Sequence, residues 1–289
     1  MTRLRDPGTV SAEVANVERG AGEGLRKLLA FVLPPLVFAM LFGAAWYAFS
    51  YLVLNDDNRF LVPPPHQVWQ EGLGDPSARV QLLDGLLITA TEALVGLVIA
   101  IVIGMSFAVS MSQARWVQRS FYPWAVILQT IPVLALVPLI GIWFGRGFTG
   151  RVIVCVLIAL FPIITNTLFG LQSADEGLHD LLTLHGAGRN TRFRKLELRA
   201  AVPAIFAGFR ISAGLSVIGA IVGEFFFVRG GQSGLGNLLD LYRGQLETSR
   251  LFTALFLSSM LGIVVFWGFT WVGNLVTRSW LESGQTQKW

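Results

Sequence analysis

Charged residues are scarce in this sequence of 289 residues. Only 14% of the chain is Asp, Glu, Lys or Arg, against about a quarter in ordinary soluble domains, while 53% is hydrophobic. The mean hydropathy is +0.60. This balance excludes a typical soluble domain and indicates an integral membrane protein.

Cysteine, histidine and nucleotide-binding motifs are almost absent. The single cysteine, Cys155, lies inside an apolar run, so an intrachain disulfide is excluded. His66, His179 and His185 lack metal-ligand spacing, and the sequence contains no Ser-His-Asp arrangement, HExxH motif or GxxxxGK[ST] phosphate loop. We therefore predict no catalytic residues, no metal site and no cofactor bound by this chain, and we expect no ATP hydrolysis by it alone.

Long apolar runs are what the sequence has in abundance. A membrane-spanning helix needs about 20 apolar residues, and six stretches meet this length: 29–54, 84–110, 121–144, 150–172, 203–228 and 251–276. The alternative, buried helices of a soluble protein, does not account for six such runs in one chain. We predict an all-α integral membrane protein with six transmembrane helices in a domain of residues 29–280.

The distribution of Lys and Arg predicts the orientation. With the N-terminus inside, fourteen cations fall on cytoplasmic segments and seven on outer ones, which favours cytoplasmic termini. Residues 1–28 and 281–289 are then cytoplasmic tails, and no cleavable signal peptide is expected because residues 1–28 contain no apolar run. The seven outer cations are Arg59, Arg79, Arg146, Arg151, Arg229, Arg243 and Arg250.

The segment between the fourth and fifth apolar runs is built like a helix. Ser173 and Glu176 have the spacing of a capping box, and a leucine face follows at Leu178, Leu181 and Leu182. Gly186 and Gly188 are predicted to end the helix in left-handed conformations, and the next span is predicted to begin at Val202–Pro203. The segment is either a plain positive flank or a surface helix that docks into another protein, and the leucine face favours docking.

Polar residues inside the spans are candidates for a translocation path. Glu92 and Glu224 are acids placed deep in spans, and Gln129 and Asn166 are uncharged hydrogen-bonding groups. Each of the four fits either a path or a structural contact between helices. Kinks are expected at Pro132, Pro138 and Pro162. A short amphipathic helix is predicted after a glycine-rich entry, with Leu235, Leu238, Leu239 and Tyr242 on one face.

Several of these segments resemble the permeases of bacterial ABC importers. Gly186-Ala187, Ala200, Ala201, Pro203 and Gly208-Phe209-Arg210 resemble the cytoplasmic "EAA" loop of that family, with Asp180-Leu181-Leu182 in place of Glu-Ala-Ala and Arg199 in place of a proline. The resemblance extends from about Val62 to Trp280. It includes "QTIPVLALVPLIGIWFG" from Gln129, "ALFPIITNTLFGLQS" from Ala159 and "SGLGNLL" from Ser233, which are similar to permeases for nitrate, sulfonates, taurine or thiamine-pyrimidine precursors.

The resemblance implies a function and partners. The chain would be the permease subunit of a type I ABC importer in the bacterial plasma (inner) membrane, with a coupling loop at about 174–200. The residues that would contact the ATPase are Asp180, Leu181, Leu182, Gly186, Ala187 and Arg189. The implied partners are a second copy of the chain, two cytoplasmic ATP-binding subunits that carry ATP and Mg, an extracytoplasmic solute-binding protein and the lipid bilayer, without nucleic acid.

Only Glu92 narrows the range of possible substrates. It stands where many relatives of the family have a basic residue. An acid in the path would repel an anion, which favours a neutral or cationic heterocycle of the pyrimidine type. The alternatives to an importer are an autonomous secondary transporter or channel, which would need repeated broken helices or charged rings, and a membrane-embedded enzyme, which would need a catalytic constellation.

Overall fold

A computed structural model describes Ala30 and residues 32–227 and 233–281, with side chains as far as Thr277. Within these ranges the chain is helical, without β-strands. The predicted tail 1–28 and residues 282–289 lie outside the described residues, as does Arg229. The chain forms two compact units, residues 1–67 and residues 68–289.

The first unit contains α1, Val32–Val53, which is long and apolar enough to span a membrane. Its last residues, Phe49–Val53, form a π-helical turn, and a 3-10 helix, Asp56–Leu61, follows. The indole nitrogen of Trp46 donates to the Pro63 carbonyl at 3.1 Å, and the Ser50 hydroxyl donates to the Val62 carbonyl at 2.9 Å. These two bonds fold the segment after α1 back onto its end.

The remaining helices run from the short α2 to α11. The boundary between the two units falls within α2. They are α2 (Pro65–Trp69), α3 (Pro76–Gln113), α4 (Arg115–Thr130), α5 (Val133–Phe144), α6 (Phe148–Gln172), α7 (Glu176–Leu184), α8 (Arg189–Arg192), α9 (Leu198–Phe226), α10 (Leu235–Gln245) and α11 (Thr248–Leu281). Among the described residues, five helical segments could cross a membrane, or six if α4 and α5 together form one span.

Helix α3 is longer than the predicted span at 84–110. Its 38 residues correspond to about 57 Å at 1.5 Å per residue, so α3 extends beyond the hydrocarbon layer. Asp75 caps it by accepting from the Ser77 backbone N–H at 3.0 Å, and the hydrogen bonds from Ser77 lower the pKa of Asp75 below its ordinary value. The same carboxylate forms an ion pair with Arg250 at 2.9 Å, which joins the starts of α3 and α11.

The third predicted span is not one continuous helix. Helices α4 and α5 meet at an angle of 100°, and Ile131 and Pro132 between them have extended backbones. A proline disfavours the helical conformation of the residue before it, which is why the break falls at this pair. The predicted kink at Pro132 is confirmed as a full break, whereas Pro138 and Pro162 lie within α5 and α6.

Helices α3, α6 and α9 pack closely because small residues meet at their crossing. Cys155 of α6 is fully buried between Gly96 of α3 and Gly219 of α9. A Cβ atom at Gly219 would lie 2.7 Å from the Cα of Cys155, and one at Gly96 would overlap the Cys155 Cβ. Small residues of this kind let helix backbones approach one another in membranes, where van der Waals packing drives association.

Candidate functional site: coupling loop and buried polar cluster

Helix α7 begins at a different cap from the one predicted. The Asp175 side chain, not that of Ser173, accepts from the Leu178 backbone N–H, at 3.2 Å. Ser173 instead donates its hydroxyl to the Gly170 carbonyl at 2.8 Å. Both Asp and Ser are good caps, and Asp175 is the residue directly before the helix. The prediction of a Ser173–Glu176 capping box was therefore wrong, although the helix itself was predicted correctly.

The end of α7 confirms the special role of Gly186. Gly186 has a φ of 68°, its N–H donates to Thr183 at 2.9 Å, and the Ala187 N–H donates to Leu182 at 2.9 Å. These two bonds form a Schellman motif, which needs a left-handed residue after the cap. The prediction for Gly188 was wrong: its φ is −64°, and it caps the next helix, α8.

Helix α7 presents a row of leucines to its surroundings. Leu178, Leu181 and Leu184 are 49%, 52% and 86% exposed, whereas Leu182 is half-buried. The exposed face is therefore centred on Leu181 and includes Leu184, which the sequence analysis did not select. The neighbouring coupling candidates differ in exposure: Asp180 is exposed and Ala187 is half-buried.

Side-chain hydrogen bonds attach the loop to the bundle. Arg189 donates to Gln113 at the end of α3 at 3.0 Å, and Arg192 donates to Thr183 of α7 at 3.0 Å. Helix α9 follows at Leu198, so Pro203 lies within that helix and does not start it, in contrast to the prediction. The loop is thus held against α3 and leads through a π-helical turn into α9.

Glu92 forms a buried ion pair that the sequence analysis did not predict. The Arg151 guanidinium donates to Oε1 of Glu92 at 3.0 Å, and each side chain is only 2% exposed. A second guanidinium nitrogen donates to the Phe227 carbonyl at 3.2 Å. Arg151 was counted as an outer-loop cation because it stands at the edge of an apolar run. It lies within α6, and it compensates the charge of Glu92.

Glu224 holds the start of α10. Its carboxylate accepts from the Thr89 hydroxyl at 2.8 Å and from the Gly236 backbone N–H at 2.6 Å. The Leu235 N–H donates to the Thr89 oxygen at 2.8 Å. A carboxylate at the N-terminus of a helix satisfies free N–H groups and is favoured by the helix dipole.

The glycines before α10 allow this contact. A Cβ atom at Gly234 would overlap the Glu224 carboxylate, and one at Gly236 would overlap the Ile221 carbonyl. The amphipathic prediction for α10 is confirmed, because Leu235, Leu238, Leu239 and Tyr242 are all buried. We call Glu92, Arg151, Thr89 and Glu224 the buried polar cluster; it joins α3, α6, α9 and α10.

The two uncharged path candidates lie in different surroundings. Gln129 is exposed near the end of α4. The Asn166 amide donates to the Pro162 carbonyl at 2.8 Å within α6, and its side chain lies where α6 contacts Gly208 of α9. Neither residue contacts the buried polar cluster through a recorded hydrogen bond, so the four candidates do not form one site in the described part of the chain.

The fold and these two sites define a class: a helical membrane permease with an exposed surface helix and a short buried helix, α10, that is bonded to a buried carboxylate. The family described as "Binding-protein-dependent transport system inner membrane component" matches residues 96–278, and this chain belongs to it. It is a permease of an ABC importer, a class that works with ATPase and binding-protein partners.

Individual relatives agree with this assignment. The formylaminopyrimidine transport permease protein ThiX of Halalkalibacterium halodurans is 32% identical over 239 residues, covering 81% of this chain and 90% of ThiX. The nitrate import permease protein NrtB of Synechococcus elongatus is 25% identical over 275 residues, covering 91% and 96%. A chain of the MetNI methionine ABC transporter, solved in inward-facing conformations, shares the fold with a TM-score of 0.59 and 19% identity, covering 71% and 98%.

The ion pair gives the first prediction. Removing one partner of a buried pair leaves an uncompensated charge and typically costs about 3–5 kcal/mol. Arg151→Met alone should therefore lower the thermal midpoint of the purified protein strongly, and Glu92→Gln less, because an amide can still accept from Arg151. The double variant should lose less free energy of unfolding than the two single losses added together, by about 0.5–3 kcal/mol. If the two losses of stability simply added, Glu92 and Arg151 would not be energetically coupled and the prediction would be wrong.

Gly186 gives the second prediction. A left-handed backbone costs a residue with a Cβ about 1–2 kcal/mol, and more for a branched one. Gly186→Val should therefore speed amide hydrogen exchange at residues 182–187 by about five- to thirty-fold. Since a Cβ at Gly186 meets no atom within 4 Å, this effect comes from the backbone. Gly188→Val is the matched control, because its negative φ suits valine; equal exchange in both variants would refute the assignment.

Proposed function

We propose that the exposed leucine face of α7 docks into a cytoplasmic ATPase that binds ATP and Mg and drives transport through this permease. The observation that carries the proposal is that the leucines of α7 are exposed while the loop that holds them is fixed to the bundle. Leu181 and Leu184 are open to a partner, while Arg189 fixes the loop to α3. A helix with an exposed apolar row fits the groove of a partner protein.

The connection into α9 supports a mechanical role for this loop. Helix α9 starts at Leu198, directly after the π-helical turn that follows α8, and its last turn contains Glu224 of the buried polar cluster. A force applied to α7 therefore has a short helical route to the other end of the bundle. A partner that binds one position of the loop more tightly would shift the permease between two arrangements.

The assembly that we propose has a second copy of this chain, two ATPase subunits and an extracytoplasmic solute-binding protein. The cytoplasmic ATPases require α7 to face the cytoplasm, which agrees with the excess of cations on the segments that include α7 and both termini. In this orientation α10 lies toward the outside, where the binding protein delivers the solute.

Within the path we propose two kinds of contribution. Glu224 shapes the path by fixing the start of α10 through the Gly236 N–H, and Glu92 does so by holding Arg151, which bonds to the Phe227 carbonyl after α9. Gln129 and Asn166 contribute uncharged hydrogen-bonding groups. Gln129 is exposed beside the α4–α5 break, whereas Asn166 is half-buried within α6.

For the substrate we propose a small nitrogen heterocycle of the formylaminopyrimidine type rather than nitrate, a sulfonate or taurine. The ground is the extent of the match: ThiX is 32% identical over 81% of this chain, whereas the aliphatic sulfonates permease SsuC of Escherichia coli is 31% identical over 64%, and NrtB is 25% identical over 91%. The charge of Glu92 no longer contributes to this choice, because Arg151 compensates it at 3.0 Å. An anion passing the cluster would meet no uncompensated charge from that residue.

The docking proposal predicts loss of the ATPase from a charged variant of the loop. Leu181→Asp should reduce co-purification of the ATPase subunits and abolish ATP-driven uptake in reconstituted vesicles, because it puts a charge into an apolar contact. The matched control is Leu246→Asp, which changes a leucine that is 68% exposed at the opposite end of the bundle. Wild-type ATPase stoichiometry in both Leu181→Asp and Leu184→Asp would overturn docking, provided that thermal unfolding is unchanged.

The substrate proposal predicts a preference in the complete transporter. Vesicles that contain the permease, the ATPases and the solute-binding protein should accumulate a labelled formylaminopyrimidine in the presence of ATP, and nitrate or taurine should not compete at tenfold excess. Competition by nitrate, with no uptake of the heterocycle, would reverse the choice. Failure of this test with normal ATPase binding would refute the substrate alone and leave the docking proposal standing.

A further inference from the structure

The first half of α4 carries a polar, cationic face that the transport function does not use. Arg115, Gln118, Arg119 and Tyr122 have the spacing i, i+3, i+4 and i+7, which places them on one side of the helix. Together with Pro123 they line an open cavity of about 540 Å³. That volume lies within the range of about 300–1,000 Å³ that small-molecule sites occupy.

Within the described part of the chain, no carboxylate neutralises the two arginines in this face. Both are exposed, and among the described residues neither Arg115 nor Arg119 lies within ion-pair distance of a carboxylate. Four other arginines do form such pairs in the same part of the chain: Arg59, Arg151, Arg243 and Arg250. The cavity therefore offers two guanidinium groups, which bind phosphate through paired N–H donors.

Aromatic side chains flank the cationic face. Trp116 and Trp124 are 72% and 66% exposed, and Phe121 is 44% exposed. Tryptophan concentrates at the interface between hydrocarbon and water, where its ring and its N–H find suitable surroundings. A helix with cations on one face and exposed aromatic residues beside them is typical of a segment lying at this interface.

The position of α4 in the bundle agrees with an interfacial location. Its Gln118 accepts, through its side-chain oxygen, from the Gln172 amide at the end of α6 at 3.0 Å. This bond places the face at the same end of the bundle as α7, next to the coupling loop. It leaves the Gln118 amide N–H groups available as donors beside the two guanidinium groups.

We propose that this α4 face binds the headgroup phosphate of an anionic phospholipid. Arg115 and Arg119 bind the phosphate oxygens, Gln118 and Tyr122 donate to the headgroup or the ester oxygens, and the acyl chains lie along the exposed aromatic residues. An acidic protein surface is the other charge-complementary partner. The lipid fits better because Trp116 and Trp124 remain exposed on a chain that spans the membrane, where hydrocarbon covers them.

The test uses the complete transporter, purified with its ATPases and placed in nanodiscs of phosphatidylglycerol and phosphatidylcholine at equal amounts. Native mass spectrometry then counts retained phosphatidylglycerol. Arg115→Gln/Arg119→Gln should weaken retention about 25-fold, because each cation near a lipid surface contributes about fivefold. Arg115→Lys/Arg119→Lys keeps both charges but loses the paired N–H donors, so its retention should lie between those of the wild type and the glutamine variant. The control Arg79→Gln/Arg146→Gln removes two exposed arginines at the opposite end of the bundle and should change nothing.

Three results would overturn the proposal. One is equal phosphatidylglycerol retention in the wild type and the Arg115→Gln/Arg119→Gln variant. Another is displacement of the lipid by millimolar inorganic phosphate, which would indicate a site for a free anion. The third is loss of the ATPases from this variant with unchanged lipid retention, which would assign the face to the protein partner. A thermal midpoint equal to that of the wild type confirms that the variant is folded.

Discussion

A guanidinium buried in a bundle that lipid surrounds needs acceptors from the protein, since no bulk water can supply them. Arg151 takes one acceptor from Glu92 of α3 and another from the Phe227 carbonyl at the end of α9. These bonds require three helices to meet at fixed distances. The close packing of Cys155 against Gly96 and Gly219 lies one turn further along α6 and supplies that proximity. The buried charge and the small-residue contact therefore depend on each other.

The same region determines where α10 begins. Thr89 lies one turn before Glu92 on α3, and Glu224 lies three residues before Phe227 on α9, so one crossing of two helices carries both polar contacts. The carboxylate of Glu224 satisfies the N–H of Gly236 at the start of α10. The Asn237 amide donates to the Glu224 backbone carbonyl at 2.5 Å. A shift of α9 along its axis would break bonds to α3, α6 and α10 together, which makes α9 a coupled element rather than an independent span.

The sequence predicted features that depend on local chemistry. Gly186 was selected because a helix end often needs a left-handed residue, and its φ of 68° confirms this. Features that depend on tertiary distance were not accessible. Arg151 pairs with a residue 59 positions away, and an arginine at the edge of an apolar run has the same local pattern whether it lies inside or outside the membrane. The signal available was Glu92 itself, because a buried acid requires a cation or hydrogen-bond donors nearby.

The burial of Leu182 and the exposure of Leu184 show a similar limit. Leucines three and four residues apart share a helical face, but which part of that face is covered depends on the neighbouring elements. The loop is fixed to α3 through Arg189 and to α7 through Arg192. With the loop held in this way, Leu182 is half-buried and Leu181 lies at the centre of the exposed row.

The compensation of Glu92 also changes how selectivity can arise in this permease. An acid facing the path would impose a preference on the charge of the solute, whereas Glu92 is paired with Arg151 and the Glu224 carboxylate is bonded to the Thr89 hydroxyl and the Gly236 N–H. If Gln129 and Asn166 line the path, as proposed above, they would act through hydrogen bonds, which distinguish solutes by shape and by donor pattern. In the function proposed above, a neutral heterocycle would need no charged contact in the path, and the choice among solutes would rest with the solute-binding protein. The buried polar cluster would then hold the helices in position and would not have to recognise the solute.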